Sequence, residues 1–492
     1  MIWFAWTIFL SWIGAGVIAL LPRKWEAASR WLALATALLA GLAAIVGTFH
    51  LHGTSPQTIL RVPWIDALGV EFFLAADGVS AVLAILTGVA SVAAILFSWN
   101  IETRPRAFFA FFLLLVGGVY GVFLSFDLFL LFAFYELAII PKYFLIAIWG
   151  STRKEYGAMK LVLYSFIGSA AVLAGMLILH KLGTGQGIAH PMDLTLLWER
   201  SLDARWQRIL FPLFFVGFGI LAGLWPLHSW APTGHVAAPT GASMMLAGVV
   251  MKLGAYGAFR GAITLFPAGA MDWQGVVATL AVIGIVYGAG VALVQRDFKF
   301  VIGYSSVSHM GVVLLGLIAL NQKGWSGAVL QMFSHGLLAG ILFAVVGRMV
   351  YDRVHTRDLE VLEQHRLGGI LPFAAGTFFL GALASMGVPG FSGFIAELTV
   401  LIGAWHAFPW TVPVACLGIL LGIGYLLRAY SKAFFGQEAG KEETWEKEKL
   451  GAITWPERLG AILLLGTSLF VGLWPRWIFA LVDPVMKQLQ IG

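Results

Sequence analysis

The stretch LFAFYELAIIPKYFLIAIWG, residues 131–150, places Glu136 inside an apolar run that is long enough to cross a lipid bilayer. A spanning helix needs about 20 such residues, and a carboxylate near its centre costs about 2.5–3.5 kcal/mol to insert. A charged residue at that depth is retained where it faces protein or water and has a task. Lys252 and Glu397 repeat the pattern further along the chain. The sequence therefore predicts a membrane protein whose buried titratable groups carry protons.

The composition agrees with this interpretation. Of the 492 residues, 60% are hydrophobic and 11% charged, and the mean hydropathy is +0.87. A soluble chain of this length would divide into several domains, whereas these apolar runs predict one membrane domain over residues 1–492. Residues 2–21 are apolar from the start and are followed by Arg23 and Lys24. We expect them to form a first spanning helix rather than a signal peptide.

Apolar run lengths predict an all-α polytopic membrane protein with about fourteen transmembrane helices. The predicted spans are residues 2–21, 31–49, 79–97, 107–124, 128–149, 158–179, 209–224 with a continuation past a break, 242–259, 276–294, 300–320, 327–350, 370–405 with a break inside, 412–435 and 459–482. An even number of spans puts both termini on one side of the membrane.

Basic residues indicate which side faces the cytoplasm. Loops after odd-numbered spans, with their flanking helix ends, carry about twenty Lys and Arg, and the other loops and the C-terminal end carry about nine. The positive-inside rule therefore predicts cytoplasmic odd loops and two non-cytoplasmic termini. We expect an integral, multi-pass protein of the inner (plasma) membrane, in which the net charge of +6 reflects topology and not nucleic-acid binding.

Two spans are interrupted by helix-breaking residues. The first break, within PLHSWAPTGHVAAPTGAS, contains three prolines and two histidines, and the second, SMGVPGFSGF, contains Pro389 and three glycines. Broken helices at membrane depth are tolerated where protein covers them or where they line a hydrated cavity. They fall at the seventh and twelfth spans, five helices apart, which predicts two inverted five-helix repeats with a pathway in each. We place these repeats at residues 107–265 and 273–435.

The longer loops carry no recognisable chemistry. Residues 50–78 contain strand-like stretches, TILRVPWI and VEFFLA, which predict a small non-cytoplasmic hairpin. Residues 436–455 form a charged connector that we expect to be solvated on the cytoplasmic side. Cys416 is the only cysteine, so neither a disulfide framework nor a cysteine cluster is available. With no phosphate-binding loop or redox motif, we expect no cofactor in this chain.

Each buried titratable residue has a functional and a structural interpretation. Glu136 is a proton carrier or a hydrogen-bonding link between helices, and Lys252 handles protons or is a fixed counter-ion. Glu397, shortly after the second break, is a terminal gate or satisfies freed backbone groups. For these three we favour the functional interpretation. Lys142 follows Glu136 by six residues, which puts the two side chains about 120° apart around a helix and makes a direct ion pair unfavourable. We expect the Lys142 ammonium to snorkel toward the cytoplasmic interface.

Four histidines in or beside the spans also have two interpretations each. His309 shares a helix face with Ser305 in the tenth span, as His335 does with Gln331 in the eleventh. Histidine titrates near neutral pH and can relay protons between waters, or it can bond a neighbouring helix. His228 and His235 flank the first break, where they are relay groups or partners of freed backbone. The sequence leaves both alternatives open for these four histidines.

The motifs resemble those of a known family, the antiporter-like subunits of respiratory complex I, and most closely the M subunit, called NADH dehydrogenase chain four in mitochondria. The resemblance covers roughly residues 77–430 and rests on these segments: FYELAIIPKYFLIAIWG, PLHSWAPTGHVAAPTGASMMLAGVVMKLGAYG, GYSSVSHMG, FSHGLLAGILF and GVPGFSGFIAEL. It implies a catalytically silent subunit that lies among other membrane subunits and moves protons while quinone is reduced elsewhere. The resemblance also implies a hydrated central line of proton-handling residues, which here are Glu136, Lys252, His309, His335 and Glu397.

Two positions depart from the family's pattern. The family places a lysine in the broken seventh helix as the partner of the fifth-helix glutamate, and this chain has Leu221 there. Thr233 stands where the family has an aspartate. The departures suggest a modified route through auxiliary residues such as Lys142 or His228, or a subunit that does not pump. Two rival functions therefore remain: a subunit of a multi-subunit cation/proton antiporter or ion-coupled uptake system, and a non-pumping structural paralogue.

Overall fold

The computed structural model describes residues 1–199, 202–436 and 450–489. Thirteen helices within these ranges are long and apolar enough to cross a membrane, and a fourteenth span is divided into two shorter pieces. The spans are α1 (Ile2–Leu20), α2 (Ser29–Phe49), α3 (Gly78–Phe97), α4 (Pro105–Leu124), α5 (Leu128–Trp149), α6 (Lys154–Gly185), α7a (Ala204–Ala222) with α7b (Trp230–Ala237), α8 (Thr240–Ile263), α9 (Pro267–Val294), α10 (Phe298–Ile318), α11 (Gln322–Val354), α12a (Pro372–Ser385) with α12b (Ser392–Ala407), α13 (Thr411–Phe435) and α14 (Trp455–Leu473). The predicted number of spans is confirmed.

Local sequence signals set the helix starts. Asp77, Asp127 and Asp297 each accept hydrogen bonds from two backbone N–H groups in the first turns of α3, α5 and α10. Pro105 and Pro267 occupy the first turns of α4 and α9, where a missing N–H costs nothing. The capped ends and the apolar lengths between them explain why most spans start within a few residues of the predicted positions.

The two breaks lie where the prolines and glycines predict them. Between α7a and α7b the chain turns at Gly223, whose φ is +85°, and between α12a and α12b it turns at Gly387 and Gly390, with φ of +76° and +103°. These backbone conformations favour glycine because a Cβ would clash in them. The broken seventh and twelfth spans are therefore confirmed.

Both halves of the bundle contain the same local motif. Asp127, just before α5, forms a short antiparallel bridge with Asp193, which caps the short helix Leu194–Glu199. The neighbours of the two aspartates are joined by two backbone hydrogen bonds, 2.8 and 2.9 Å long. Asp297 before α10 and Asp358 are joined by the same pair of bonds, again 2.8 and 2.9 Å long. Because odd and even spans run in opposite directions, the two motifs lie at opposite ends of the bundle. This geometry supports inverted repeats more strongly than the dissimilar sequences of the two breaks do.

A two-stranded hairpin covers one end of the bundle. Strand β1 (Gln57–Ile65) pairs antiparallel with β2 (Val70–Ala76), and Gly69 makes the turn with a φ of +61°. We call this the hairpin end and the other the connector end. The predicted hairpin is confirmed, whereas the connector's residues 437–449 lie outside the described ranges.

The last predicted span is wrong in its extent. Residues 459–482 were expected to form one helix, but α14 ends at Leu473 and a separate helix, α15 (Arg476–Gln488), follows. Pro475 lies between them, and a proline disfavours the helical conformation of the residue before it. Near the end of α15, Gln488 approaches Ser55 beside the hairpin, 3.4 Å away. The C-terminal helix therefore lies at the hairpin end, where α1 also begins.

Candidate functional site

Lys252 is the centre of a buried polar group between α8 and α11. Its side chain is 0% exposed, and its Nζ lies 2.7 Å from His335 Nδ1 and also donates to the carbonyl of Ala247. Gly248 and Gly336 let the two helices approach backbone to backbone, since a Cβ on Gly248 would lie 3.0 Å from the carbonyl oxygen of Gly336. A π-helical turn, Leu246–Val250, ends two residues before the lysine. Such turns occur frequently at functional sites.

His309 and Glu397 continue this group across α10 and α12b. His309 Nδ1 lies 3.2 Å from Glu397 Oε1, and its Nε2 lies 3.1 Å from Ser385 Oγ at the end of α12a. Gly387 in the break leaves room for the carboxylate, because a Cβ there would lie 3.1 Å from Glu397 Oε2. The ring centroids of His309 and His335 are 5.4 Å apart. Four predicted residues thus form one buried line, Lys252–His335–His309–Glu397, that starts at the end of the first repeat and continues through the second.

Glu136 and Lys142 form a separate group in α5. Glu136 is half-buried and accepts a hydrogen bond from Ser169 of α6, just before the two pieces of α5 meet at Ala138. It interacts electrostatically with Lys142. The expectation that Lys142 snorkels is wrong, since the residue is 1% exposed and its Nζ has no hydrogen-bond partner among the described residues. Ala138 and Ile146, one turn to either side, are also buried, so this face of α5 packs inward.

Helix α7a separates the two groups. It packs against α6, where Gly168 contacts the backbone of Gly217, and against α8, where Gly254 contacts the backbone of residues 218–222. Leu221 is buried in this layer, and no charged residue occurs between positions 209 and 222. The structure therefore places an apolar helix between Glu136 and Lys252.

The histidines that flank the first break are both buried. The ring of His228 lies 5.2 Å edge-on from Tyr287. His235 is packed between Trp230 and Phe343 at 5.9 and 5.5 Å, and neither of its ring nitrogens has a hydrogen-bond partner among the described residues. His235 interacts electrostatically with Lys252 and Lys299. The carbonyl of the next residue, Val236, accepts a hydrogen bond from Lys299 at the connector end.

Lys299 was missed as a site residue, because the sequence identifies it only as one of the basic residues at helix ends. Its Nζ donates to the carbonyls of Val236 and Ala238, at 3.3 and 2.7 Å, on either side of the end of α7b. It also lines a cavity of about 220 Å³ at the connector end, together with Ser98 and Thr240. Ser169 and Ser385 were missed as well, since serines in spans are too common to single out.

A polar cluster holds the hairpin onto the bundle. Arg61 of β1 bonds Glu71 of β2 and lies 2.7 Å from Asp193, and the bond to Glu71 raises the pKa of Arg61. Burial raises the pKa of neighbouring Asp127 to about 6, although backbone N–H groups that bond its charged form oppose the shift. His190 Nδ1 lies 3.8 Å from Glu71. Among the described residues, no group of three or more His, Cys, Asp or Glu is placed to hold a metal ion.

Comparison with known proteins identifies the family. The sequence profile of the transmembrane family of NADH:quinone oxidoreductases and Mrp antiporters matches residues 125–422, which include the two breaks and all eight candidate residues. The chain belongs to this family. The resemblance inferred from the motifs is therefore confirmed.

Individual members of the family match along almost the whole chain. Subunit M of the NADH-quinone oxidoreductase of Rhodobacter capsulatus is 34% identical over 98% of this chain and 95% of the relative. Chain 4 of an NAD(P)H-quinone oxidoreductase of Synechococcus sp. (strain JA-3-3Ab) is 37% identical over 96% and 90%. A chain of respiratory complex I from Thermus thermophilus has the same fold, with a TM-score of 0.88, 27% identity and full coverage of both chains.

Proposed function

We propose that this chain is an M-type proton-translocating membrane subunit of a complex I-type quinone oxidoreductase. Electron transfer in other subunits drives the proton movement, and this chain is catalytically silent alone. The observation that carries the proposal is the buried line Lys252–His335–His309–Glu397, with contacts of 2.7 and 3.2 Å at its two ends. Burying these groups in an apolar bundle costs free energy, and ionisable groups that are kept there despite that cost typically mark proton pathways.

The line offers a stepwise route for a proton. The Lys252 ammonium donates to His335 Nδ1, and transfer along this bond leaves a neutral amine and a charged imidazole. The ring then passes a proton from its second nitrogen toward His309, whose centre is 5.4 Å away, by way of one water molecule. His309 delivers it to Glu397 at the break in the twelfth span.

Protons reach Lys252 from the connector end in this scheme. The buried Lys299 lines the cavity there, and His235, which interacts electrostatically with both Lys299 and Lys252, would pass protons from one to the other. By the positive-inside rule, we place the connector end in the cytoplasm and both termini on the other side of the membrane. Each of the two proposed repeats, residues 107–265 and 273–435, then contains one broken helix.

Co-purification tests the choice between the family's functions. A tagged chain extracted in mild detergent should bring down other membrane subunits together with iron–sulfur subunits, and vesicles containing the assembly should acidify when quinone is reduced. If only small membrane subunits co-purify, the chain belongs to a cation/proton antiporter instead. If the assembly reduces quinone with no proton flux, it is a structural paralogue, a candidate that the apolar Leu221 favours.

We further propose that Lys142 supplies the buried cation beside Glu136. A lone buried charge is costly, and the electrostatic interaction with Glu136 offsets that cost. Lys142→Met should therefore lower proton pumping about threefold to tenfold, which is within the lower part of the range that coupled residues span. Glu136→Gln should have a similar effect, and the double variant should be no worse than either single one. The readout is a pH-sensitive dye in vesicles.

Lys181→Met is the matched control, because this lysine is exposed near the end of α6. It should pump like the wild type. Additive losses in the double variant would contradict the coupling, and normal pumping by an assembled Lys142→Met variant would show that Lys142 has no part in the pathway.

A further inference from the structure

We propose that Arg260, bound to Asp77 inside an aromatic cage, seals the first repeat at the hairpin end. A proton on Lys252 then leaves sideways through His335 and not outward along α8. The inference rests on the proposed role of Lys252 and adds a residue that determines the direction of transfer.

The position of Arg260 on α8 suggests this role. It follows Lys252 by eight residues, which is about 12 Å along a helix toward the hairpin end. Tyr256 lies midway, four residues from each, so the three side chains emerge on the same side of α8. The buried Tyr256 hydroxyl donates to the carbonyl of Phe123 at 3.0 Å and lies 3.3 Å from Ser80 Oγ. A packed tyrosine therefore fills the helix face between the lysine and the arginine.

The surroundings of Arg260 are closed. The residue is 0% exposed, and its Nη2 bonds the Oδ2 of Asp77, whose side chain is 1% exposed. Four aromatic rings lie with their centroids 5.4–5.5 Å from the guanidinium carbon: Phe126, Trp198, Tyr256 and Phe259. Trp198 is fixed in turn by a 2.9 Å hydrogen bond to Thr264. Rings on several sides exclude a continuous thread of water, which proton movement along this face would need.

The charge adds a second barrier. A guanidinium stays protonated in proteins, so Arg260 cannot take up and pass on a proton as Lys252 can. The carboxylate does not cancel its field fully, because Asp77 Oδ1 also accepts the N–H groups of Val79 and Ser80 at 3.0 Å, at the positive end of α3. The positive field of the guanidinium is therefore only partly cancelled on its α8 side. Fixed positive charge of this kind excludes protons from membrane pores.

A purely structural role for the pair, as a link between α3 and α8, makes a different prediction. The link depends on the bond, whereas the seal depends on the charge.

The assembled complex is tested in vesicles without an electron donor, where an imposed pH gradient drives passive flux and a trapped pH-sensitive dye reports it. The neutral double variant Arg260→Gln with Asp77→Asn keeps a polar contact but removes both charges. It should leak about tenfold faster than the wild type, because the fixed guanidinium is gone and a unit charge in a protein is worth more than that factor.

Two controls separate charge from structure. Arg260→Lys keeps the positive charge but, unlike the guanidinium, can release its proton, so its leak should lie between those of the wild type and the neutral variant. The exposed pair Arg208 and Asp272, at the same end of the bundle, has side chains 61% and 44% exposed, and its neutral double variant should not leak. Adding Lys252→Met to the leaky variant should return the flux to the wild-type level, because the leak passes through Lys252.

The outcomes distinguish this inference from the proposed function. An assembled neutral variant without extra leak would overturn the seal, whatever Lys252 does in pumping. A leak that survives Lys252→Met would show that another path has opened, which also overturns it. If the double variant does not assemble, Arg260→Gln alone is judged by the same two criteria. Pumping by Lys252→Met alone tests the proposed function separately.

Discussion

Replacement of Lys252 by methionine is expected to lower proton translocation by the assembled complex about a hundredfold, the lower limit of what a positioned proton-transfer group contributes. Lys252 is the only cationic partner that His335 has in the described structure, at 2.7 Å. Methionine fills a similar volume but cannot exchange a proton, so the line is cut at its first member. Dye-monitored acidification of vesicles during quinone reduction measures the loss.

The control is Lys323→Met, at an exposed position at the start of α11. It should pump at the wild-type rate, and both variants should show the same subunit composition on a native gel. If Lys252→Met assembles and pumps normally, the central line does not carry protons. Lys252 donates a hydrogen bond to the carbonyl of Ala247, which methionine cannot do. Lys252→Arg, which keeps a donor, therefore serves as a second variant if the methionine variant does not assemble. It keeps the charge but does not release its proton, and it should pump as poorly as the methionine variant.

Replacement of Glu397 by glutamine is the second prediction with a large effect. Proton translocation should fall about a hundredfold, because Glu397 accepts the proton from His309 at 3.2 Å and glutamine has no titratable group. Glutamine keeps the size and one acceptor oxygen, so the break between α12a and α12b should be preserved. Glu397→Asp should retain part of the activity, since the carboxylate remains although it is withdrawn from His309.

Glu360→Gln provides the comparison, because Glu360 forms an exposed ion pair with Arg296 at the connector end. Its pumping should be unchanged. Normal pumping by Glu397→Gln would exclude the terminal step of the line and leave Glu397 as a structural partner of the break. A loss shared equally by Glu397→Gln and Glu397→Asp, with intact assembly, would show that position as well as charge is required.

Much of the architecture could be predicted because the decisive signals are local. A run of about 20 apolar residues, an aspartate before a helix and a glycine at a positive φ act within a few residues of themselves. The breaks around Gly223 and Gly387 and the turn at Gly69 were predictable for this reason. The end of α14 was missed because the hydropathy of residues 459–482 outweighed the signal of the single Pro475.

The candidate site was predictable only as a set of residue types. Lys142 and Lys252 look alike in sequence, each a single lysine in an apolar run, and nothing local indicates which face of its helix packs inward. The structure buries both, with Lys252 against His335 and Lys142 near Glu136. Arg260 was counted with the loop residues, although it is fully buried, because its partner Asp77 lies far away in the chain.

The sequence by itself determined that the chain spans a membrane about fourteen times, where two spans break, and which buried groups can titrate, because the solvation of each segment depends mainly on its own residues. Only the tertiary structure decided that Lys252, His335, His309 and Glu397 meet in one line, that α7a separates them from Glu136, and that Arg260 closes the hairpin end. These contacts join helices that are far apart in sequence, and they depend on how closely the helices pack and rotate against one another. Side-chain packing between helices sets that arrangement, and no single segment encodes it.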